Sequence, residues 1–247
     1  MIDTDLLLLP LVALLAFLVK GMTGFGPAIV VVSLGALFLP PQVVVVLSAL
    51  LAGTAGLIML WTDPIKGAGR FWIPLAVAMG IGSVIGGLSL KLILPQYFNI
   101  ILAVVILALG VWFFVGRARK DEAELSDTLP AVCNAKDLGV ALLAGVLGGA
   151  IGIGGPPMVY YMGRRFAKRS LRQPLVPVFL AASAARFFTY VAAGMVDRQV
   201  MIYSLASLPG LLLGVYFGNK AFFKVSEVLF SRIVAVVLVA VAVRLAV

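Results

Sequence analysis

The amino-acid sequence predicts an all-α integral membrane protein made of two homologous, inverted four-segment repeats, each with a broken, glycine-rich first segment followed by three transmembrane helices. Three observations predict it: a composition too apolar for water, eight hydrophobic segments of bilayer length, and a second half that repeats the segment order of the first. Of 247 residues, 63% are apolar and 12% charged. A soluble domain is roughly 45–50% apolar and about 25% charged, so this chain has too little polar side chain to coat a water-facing globule.

Composition also removes chemistries. There is no histidine and one cysteine, Cys133, which leaves no Ser-His-Asp triad, no disulfide framework and no ligand set for zinc or haem; no metal and no cofactor is expected. The net charge of +9 in so apolar a chain points to basic residues held on the cytoplasmic side of a bilayer, with no nucleic-acid partner. Met1 to Asp5 carry two acids and no base, and no small-x-small cleavage site follows, so Leu6 onward is expected in the mature protein.

A helix needs about 20 apolar residues to cross a bilayer. At that scale the segments run Leu6 to Leu39, Pro41 to Trp61, Phe71 to Lys91, Tyr97 to Val115, Leu138 to Gly163, Pro174 to Met195, Val200 to Asn219 and Val228 to Val247. Trp61, Trp72, Tyr97 and Trp112 fall near segment ends, where aromatic rings favour the headgroup layer. The one long polar stretch, Gly116 to Asp137, reads as a cytoplasmic linker. The expected division is therefore a first membrane repeat over 1–115, the linker over 116–137 and a second repeat over 138–247.

The halves align at two offsets. A shift of 132 residues places Phe98 to Val105 on Phe230 to Val237, and Gly82 and Gly86 on Gly214 and Gly218; a shift of 128 places Gly24-Phe25-Gly26 on Gly152-Ile153-Gly154. Recurring segment order with matched glycines is the mark of a repeat. The first segment of each half is interrupted, by Lys20-Gly21-Met22-Thr23-Gly24-Phe25-Gly26-Pro27 and by Gly148-Gly149-Ala150-Ile151-Gly152-Ile153-Gly154-Gly155-Pro156-Pro157. Glycine at this density disfavours continuous helix and proline suits a first turn, so each should be two half-helices, the second starting at Pro27 or Pro156.

Loop charge tests whether the second interrupted segment crosses the membrane. If all eight segments span, the loop bases divide eight against nine; if Leu138 to Gly163 enters and leaves on one face, the same residues divide fourteen against three. The positive-inside rule selects the re-entrant arrangement. The repeat extends it to Leu6 through Leu39, and a hairpin plus three spans is an odd number of crossings, which makes the repeats inverted. The N- and C-termini are then expected outside, with Arg117 to Lys136 and Arg164 to Arg172 inside.

Two charges fall at membrane depth, Lys20 and Arg186, and both are cations. Such residues are costly and mark pathways or ligands, and every acid in the chain falls in a loop or at a segment end. Half-helices starting inside the membrane present free N–H groups and positive dipole ends, which bind anions. The expected anion-binding residues are Lys20, Thr23, Gly24, Gly26, Gly152, Gly154, Gly155, Ser183 and Arg186, with Thr189 a further hydroxyl donor. Gly82, Gly86, Gly214 and Gly218 read instead as close-packing residues. No buried acid or histidine is present for proton coupling, and efflux of an anion from a negative-inside cell is already driven by about 2.3 kcal/mol per charge per 100 mV.

The paired elements Gly21 to Gly26 and Gly148 to Pro157, set in two four-segment halves, resemble the TauE/SafE sulfite exporter family over essentially the whole chain. The resemblance implies a bacterial-type multi-pass permease of the inner membrane that moves sulfite, sulfonates or related organosulfur anions, usually outward. Pro27 stands where the second half has Gly155, and the first half lacks the Gly-Gly-Pro-Pro run, a departure that separates the two half-sites. The expected partners are a small anionic substrate and the lipid bilayer; homo-oligomerisation is left open. A selective anion channel would use the same groups. A small membrane transferase is disfavoured by the lack of a histidine, a Gly-x-Ser-x-Gly element or a membrane-depth acid.

Overall fold

A computed structural model of the chain describes residues 4–23, 26–62, 71–93, 97–98, 100–105, 107–108, 133–166 and 168–221. The regular elements among these residues are helices: α1 Thr4–Thr23, α2 Pro27–Gly35, α3 Pro41–Thr62, α4 Trp72–Leu92, α5 Ala135–Ile151, α6 Gly155–Gly163, α7 Lys168–Ala192 and α8 Arg198–Ala221. Four stretches are long and apolar enough to cross a membrane: Pro41–Thr62, Trp72–Leu92, Pro174–Ala192 and Arg198–Lys220. Leu6–Gly21 is a shorter apolar helix. The fourth expected segment is helical at 100–105; its remainder past 108, the linker over 116–132 and the eighth segment lie outside the described residues.

Both interrupted segments are broken where the glycines fall. α1 ends at Thr23 and α2 begins at Pro27, while α5 ends at Ile151 and α6 begins at Gly155, one residue ahead of Pro156. Two positions at these breaks require glycine: Gly26 has φ 86° and Gly152 has φ 80°, in the left-handed region that a Cβ disfavours. The Gly152 N–H donates to the Gly148 carbonyl at 3.0 Å and closes α5.

The far ends of the second broken segment are tied together. Asn134 caps α5 in a reciprocal box: the Asp137 N–H donates to Asn134 Oδ1 at 2.8 Å, and the Asn134 N–H to Asp137 Oδ2 at 3.0 Å. The Tyr161 hydroxyl, in the last turn of α6, donates to Asp137 Oδ1 at 2.9 Å, and Arg165 forms an ion pair with the same oxygen. The first turn of α5 therefore lies beside the last turn of α6.

The chain packs as two compact units. One comprises residues 1–48, 92–118 and 198–247, the other 49–91 and 119–197, so each draws on both sequence halves. In the first, α1 packs along α8 with backbone against backbone. A Cβ on Gly210 would strike the Pro10 carbonyl, one on Gly214 would sit 2.6 Å from Leu14 O, and one on Gly218 2.5 Å from Leu18 O. The second unit repeats this contact between α4 and α5, where a Cβ on Gly82 would strike Leu142 O and one on Gly86 would strike Val146 O. Gly82, Gly86, Gly214 and Gly218 are packing residues, as expected, and Gly210 joins them. Phe71, Leu75, Met79, Ala144, Met158, Met162, Phe166, Leu175 and Val178 fill the apolar core of the second unit.

The outer faces stay apolar. Val77, Ile85 and Leu88 on α4, and Leu205, Leu212, Tyr216 and Phe217 on α8, are exposed. Side chains of this kind suit a hydrocarbon solvent, into which a helix exposes no unpaired backbone group. Trp61 and Tyr97 are also exposed, near segment ends.

Candidate functional site

Arg186 is buried in α7 at 6% exposure. Its guanidinium donates from Nη1 to the Gly148 carbonyl at 3.1 Å, from Nη2 to Ser183 Oγ at 2.9 Å, and from Nε to the Ala182 carbonyl at 3.4 Å. One turn on, the Tyr190 hydroxyl donates to the Gly149 carbonyl at 2.6 Å. Gly148 and Gly149 belong to the last turn of α5; the Gly148 carbonyl also accepts from the Gly152 N–H, and past Gly152 no helix continues to bond the carbonyls that follow. α7 thus satisfies the carbonyl end of the break through an arginine and a tyrosine spaced i, i+4, which share one face of a helix.

A guanidinium has five N–H donors. Three are engaged, and among the described residues no carboxylate touches this cation. Ser183, 2% exposed, accepts from Arg186, so its own O–H remains a donor. The chemistry at this point is therefore donors and positive charge.

The α6 N-terminus lies against the same point. A Cβ on Gly148 would sit 3.3 Å from the Gly154 Cα and 3.6 Å from Arg186 Nη1, and one on Gly154 would strike the Ala144 carbonyl. Gly154 caps α6 without a side-chain hydrogen bond, and because Pro156 and Pro157 have no N–H, Gly155 carries the one amide donor of the first three positions. Gly152, Gly154, Gly155, Ser183 and Arg186 are therefore gathered within the second unit. Thr189 is not part of the group: its hydroxyl donates to Ala185 O of its own helix at 2.8 Å.

In the first unit, Lys20 is 5% exposed in the last turn of α1, its Nζ 5.9 Å from the Phe17 ring centroid. Gly26 precedes α2, which also lacks a side-chain cap. Thr23 ends α1, its side chain outside the described residues, as is Gly24. Both buried cations thus stand at the C-terminal end of a broken helix, where the dipole is negative and a cation is favoured.

Sequence reasoning missed several participants. Gly148, Gly149 and Tyr190 form the carbonyl side of the break, and the signal available was the Arg186-x-x-x-Tyr190 spacing. Asp137, at 1% exposure, is a buried acid that sequence reading placed at a segment end; the signal was the Asn134-x-x-Asp137 capping pattern.

Among known proteins, the sulfite exporter TauE/SafE family matches residues 9–245. No curated protein and no solved structure matches the chain. Nearly the whole chain is covered, and four helices among the described residues are long and apolar enough to cross a membrane. The chain belongs to the TauE/SafE family of multi-pass membrane permeases, which export sulfite and related organosulfur anions.

Proposed function

We propose that this protein exports sulfite, a sulfonate or a related organosulfur anion across the inner membrane of a bacterium, binding it at the helix breaks. Arg186, Ser183, Gly152, Gly154 and Gly155 form the binding residues of the second break. Lys20, Thr23, Gly24 and Gly26 are their counterparts at the first. The observation that carries the reading is the buried Arg186 guanidinium, which has N–H groups to spare and only neutral partners among the described residues. A small oxyanion would supply the missing counter-charge and receive charge-assisted hydrogen bonds, which are roughly twice as strong as neutral ones.

The inverted-repeat and hairpin readings have support of their own. Hydrogen bonds from Tyr161 and Arg165 to Asp137 bring the ends of the α5–α6 segment together, as a segment entering and leaving on one face requires. The offsets 132 and 128 also carry Gly82 on Leu142 to Gly214 on Leu14, and Gly86 on Val146 to Gly218 on Leu18. The first segment of each half then packs on the third segment of the other. Potential alone drives the anion outward, without a titrating acid.

The test is sulfite and sulfoacetate flux in proteoliposomes under an imposed potential. Saturable flux in the native protein that falls at least about tenfold in Arg186→Gln supports a carrier using this arginine. Flux that rises linearly with substrate would favour a channel, and flux unchanged in the variant would make Arg186 structural.

A further inference from the structure

Ser83 in α4 is fully buried, and its hydroxyl has no hydrogen-bond partner among the described residues. A buried hydroxyl left unpaired is costly, so one kept in an otherwise glycine-lined seam calls for a partner that comes and goes. Its position is set by three contacts. Cβ atoms on Gly145 and Gly149 of α5 would meet the Ser83 backbone. Those on Gly80 and Gly87 of α4 would lie 3.9 Å from Ala185 and 3.0 Å from Thr189 of α7. Met79, one turn before Ser83 on the same helical face, brings its Cε within 3.2 Å of the Cβ position of Gly154. Ser83 therefore faces the seam between α5 and α7 on the side of the break that Arg186 occupies.

We infer that Ser83 is a further anion-binding residue of the Arg186 site, and that it selects anions with three oxygens on one atom over carboxylates. The inference rests on the function proposed above. Arg186 N–H groups, the Ser183 O–H and the Gly155 N–H at the start of α6 supply donors from α7 and α6; Ser83 adds one from α4. Donors converging from three helices match the pyramidal SO3 group of sulfite or a sulfonate. A planar carboxylate has only two oxygens and leaves one donor idle.

The experiment is thermal unfolding of the full-length protein in detergent, titrated with sulfite and, separately, with acetate. Ser83→Ala removes the hydroxyl with no added bulk. Expected is a melting temperature at or above native without anion, a sulfite dissociation constant raised about tenfold, the value of one hydrogen bond to a charged group, and an unchanged response to acetate. Ser83→Cys, a weaker donor of similar size, should fall between native and Ser83→Ala. Native sulfite affinity in Ser83→Ala, or equal loss of sulfite and acetate response, overturns the role of Ser83 alone. A native protein whose melting does not respond to sulfite overturns the parent proposal and this one with it.

Discussion

Arg186 Nη1 donates to the Gly148 carbonyl oxygen across 3.1 Å, so a cation on one helix joins the Gly152 N–H at the closing carbonyl of another. This explains how a guanidinium is held at 6% exposure with no carboxylate touching it among the described residues. The negative end of α5 lowers the cost of the charge without neutralising it, as the proposed anion site requires.

Arg186→Lys keeps the charge but loses the planar fork that reaches Gly148 and Ser183 together. We expect sulfite flux to fall at least about tenfold and the protein to lose about 1.5–3 kcal/mol of stability, the value of a hydrogen bond from a charged group, while the Gly148 carbonyl keeps the Gly152 N–H. Flux assays and thermal melts separate the two effects. Native flux in this variant would mean that charge alone suffices.

The glycine contacts predict a sharp contrast between positions. Gly82→Ala and Gly214→Ala drive a methyl group into the backbone of α5 and α1 respectively, and overpacking of this kind costs about 1–3 kcal/mol. Gly139→Ala, with nothing within 4 Å of the new carbon, should stabilise by about 0.5–1 kcal/mol through helix propensity. Equal melting temperatures for all three would contradict the packing described.

Removing Arg165 tests the tie between the ends of α5 and α6. Arg165→Gln leaves Asp137 buried with only Asn134 and Tyr161 as partners. Because the Arg165 side chain is 38% exposed, we expect a loss of about 1–2 kcal/mol rather than the several kcal/mol of a fully buried pair. Cysteines introduced at Ser126 and Ser170 should then label from the same side of the membrane in intact cells. Labelling from opposite sides would rule out the hairpin.

Cys133 offers a pH test just outside the membrane segments. Its thiol donates to the Phe71 carbonyl at 3.2 Å, and burial, reinforced by the Asp137 carboxylate, pushes its pKa up to about 11. Since the thiolate is the nucleophile, maleimide labelling at neutral pH should be roughly two orders of magnitude slower than for a free cysteine and should rise with pH toward 11. Asp137→Asn removes a negative charge, lowers the pKa and speeds labelling. Free-cysteine rates in the folded native protein would contradict this environment.

Much of the architecture was legible because it follows from the local chain. The glycine-rich runs ahead of Pro27 and Pro156 break their segments, and α2 begins at Pro27 as expected. Apolar length alone marked the four helices long enough to cross a membrane. The partners of the buried cation were not legible, because sequence reasoning sought an acid to match Arg186 and the structure answers with carbonyls of Gly148 and Ala182. A break exposes a negative C-terminal end as well as a positive N-terminal one, and local sequence does not encode which of the two a distant cation meets. Nor does a capping pattern such as Asn134-x-x-Asp137 reveal that Arg165, far along the chain, completes it. The interleaving of the halves into two compact units likewise depends on long-range packing that no local signal encodes.

The most direct test of the central claim is potential-driven sulfite efflux from proteoliposomes, measured for native protein and Arg186→Gln at matched reconstitution. The account predicts saturable efflux that grows as the interior is made more negative, and its loss in the variant while the variant remains folded. Native-like efflux in a folded Arg186→Gln protein would contradict it.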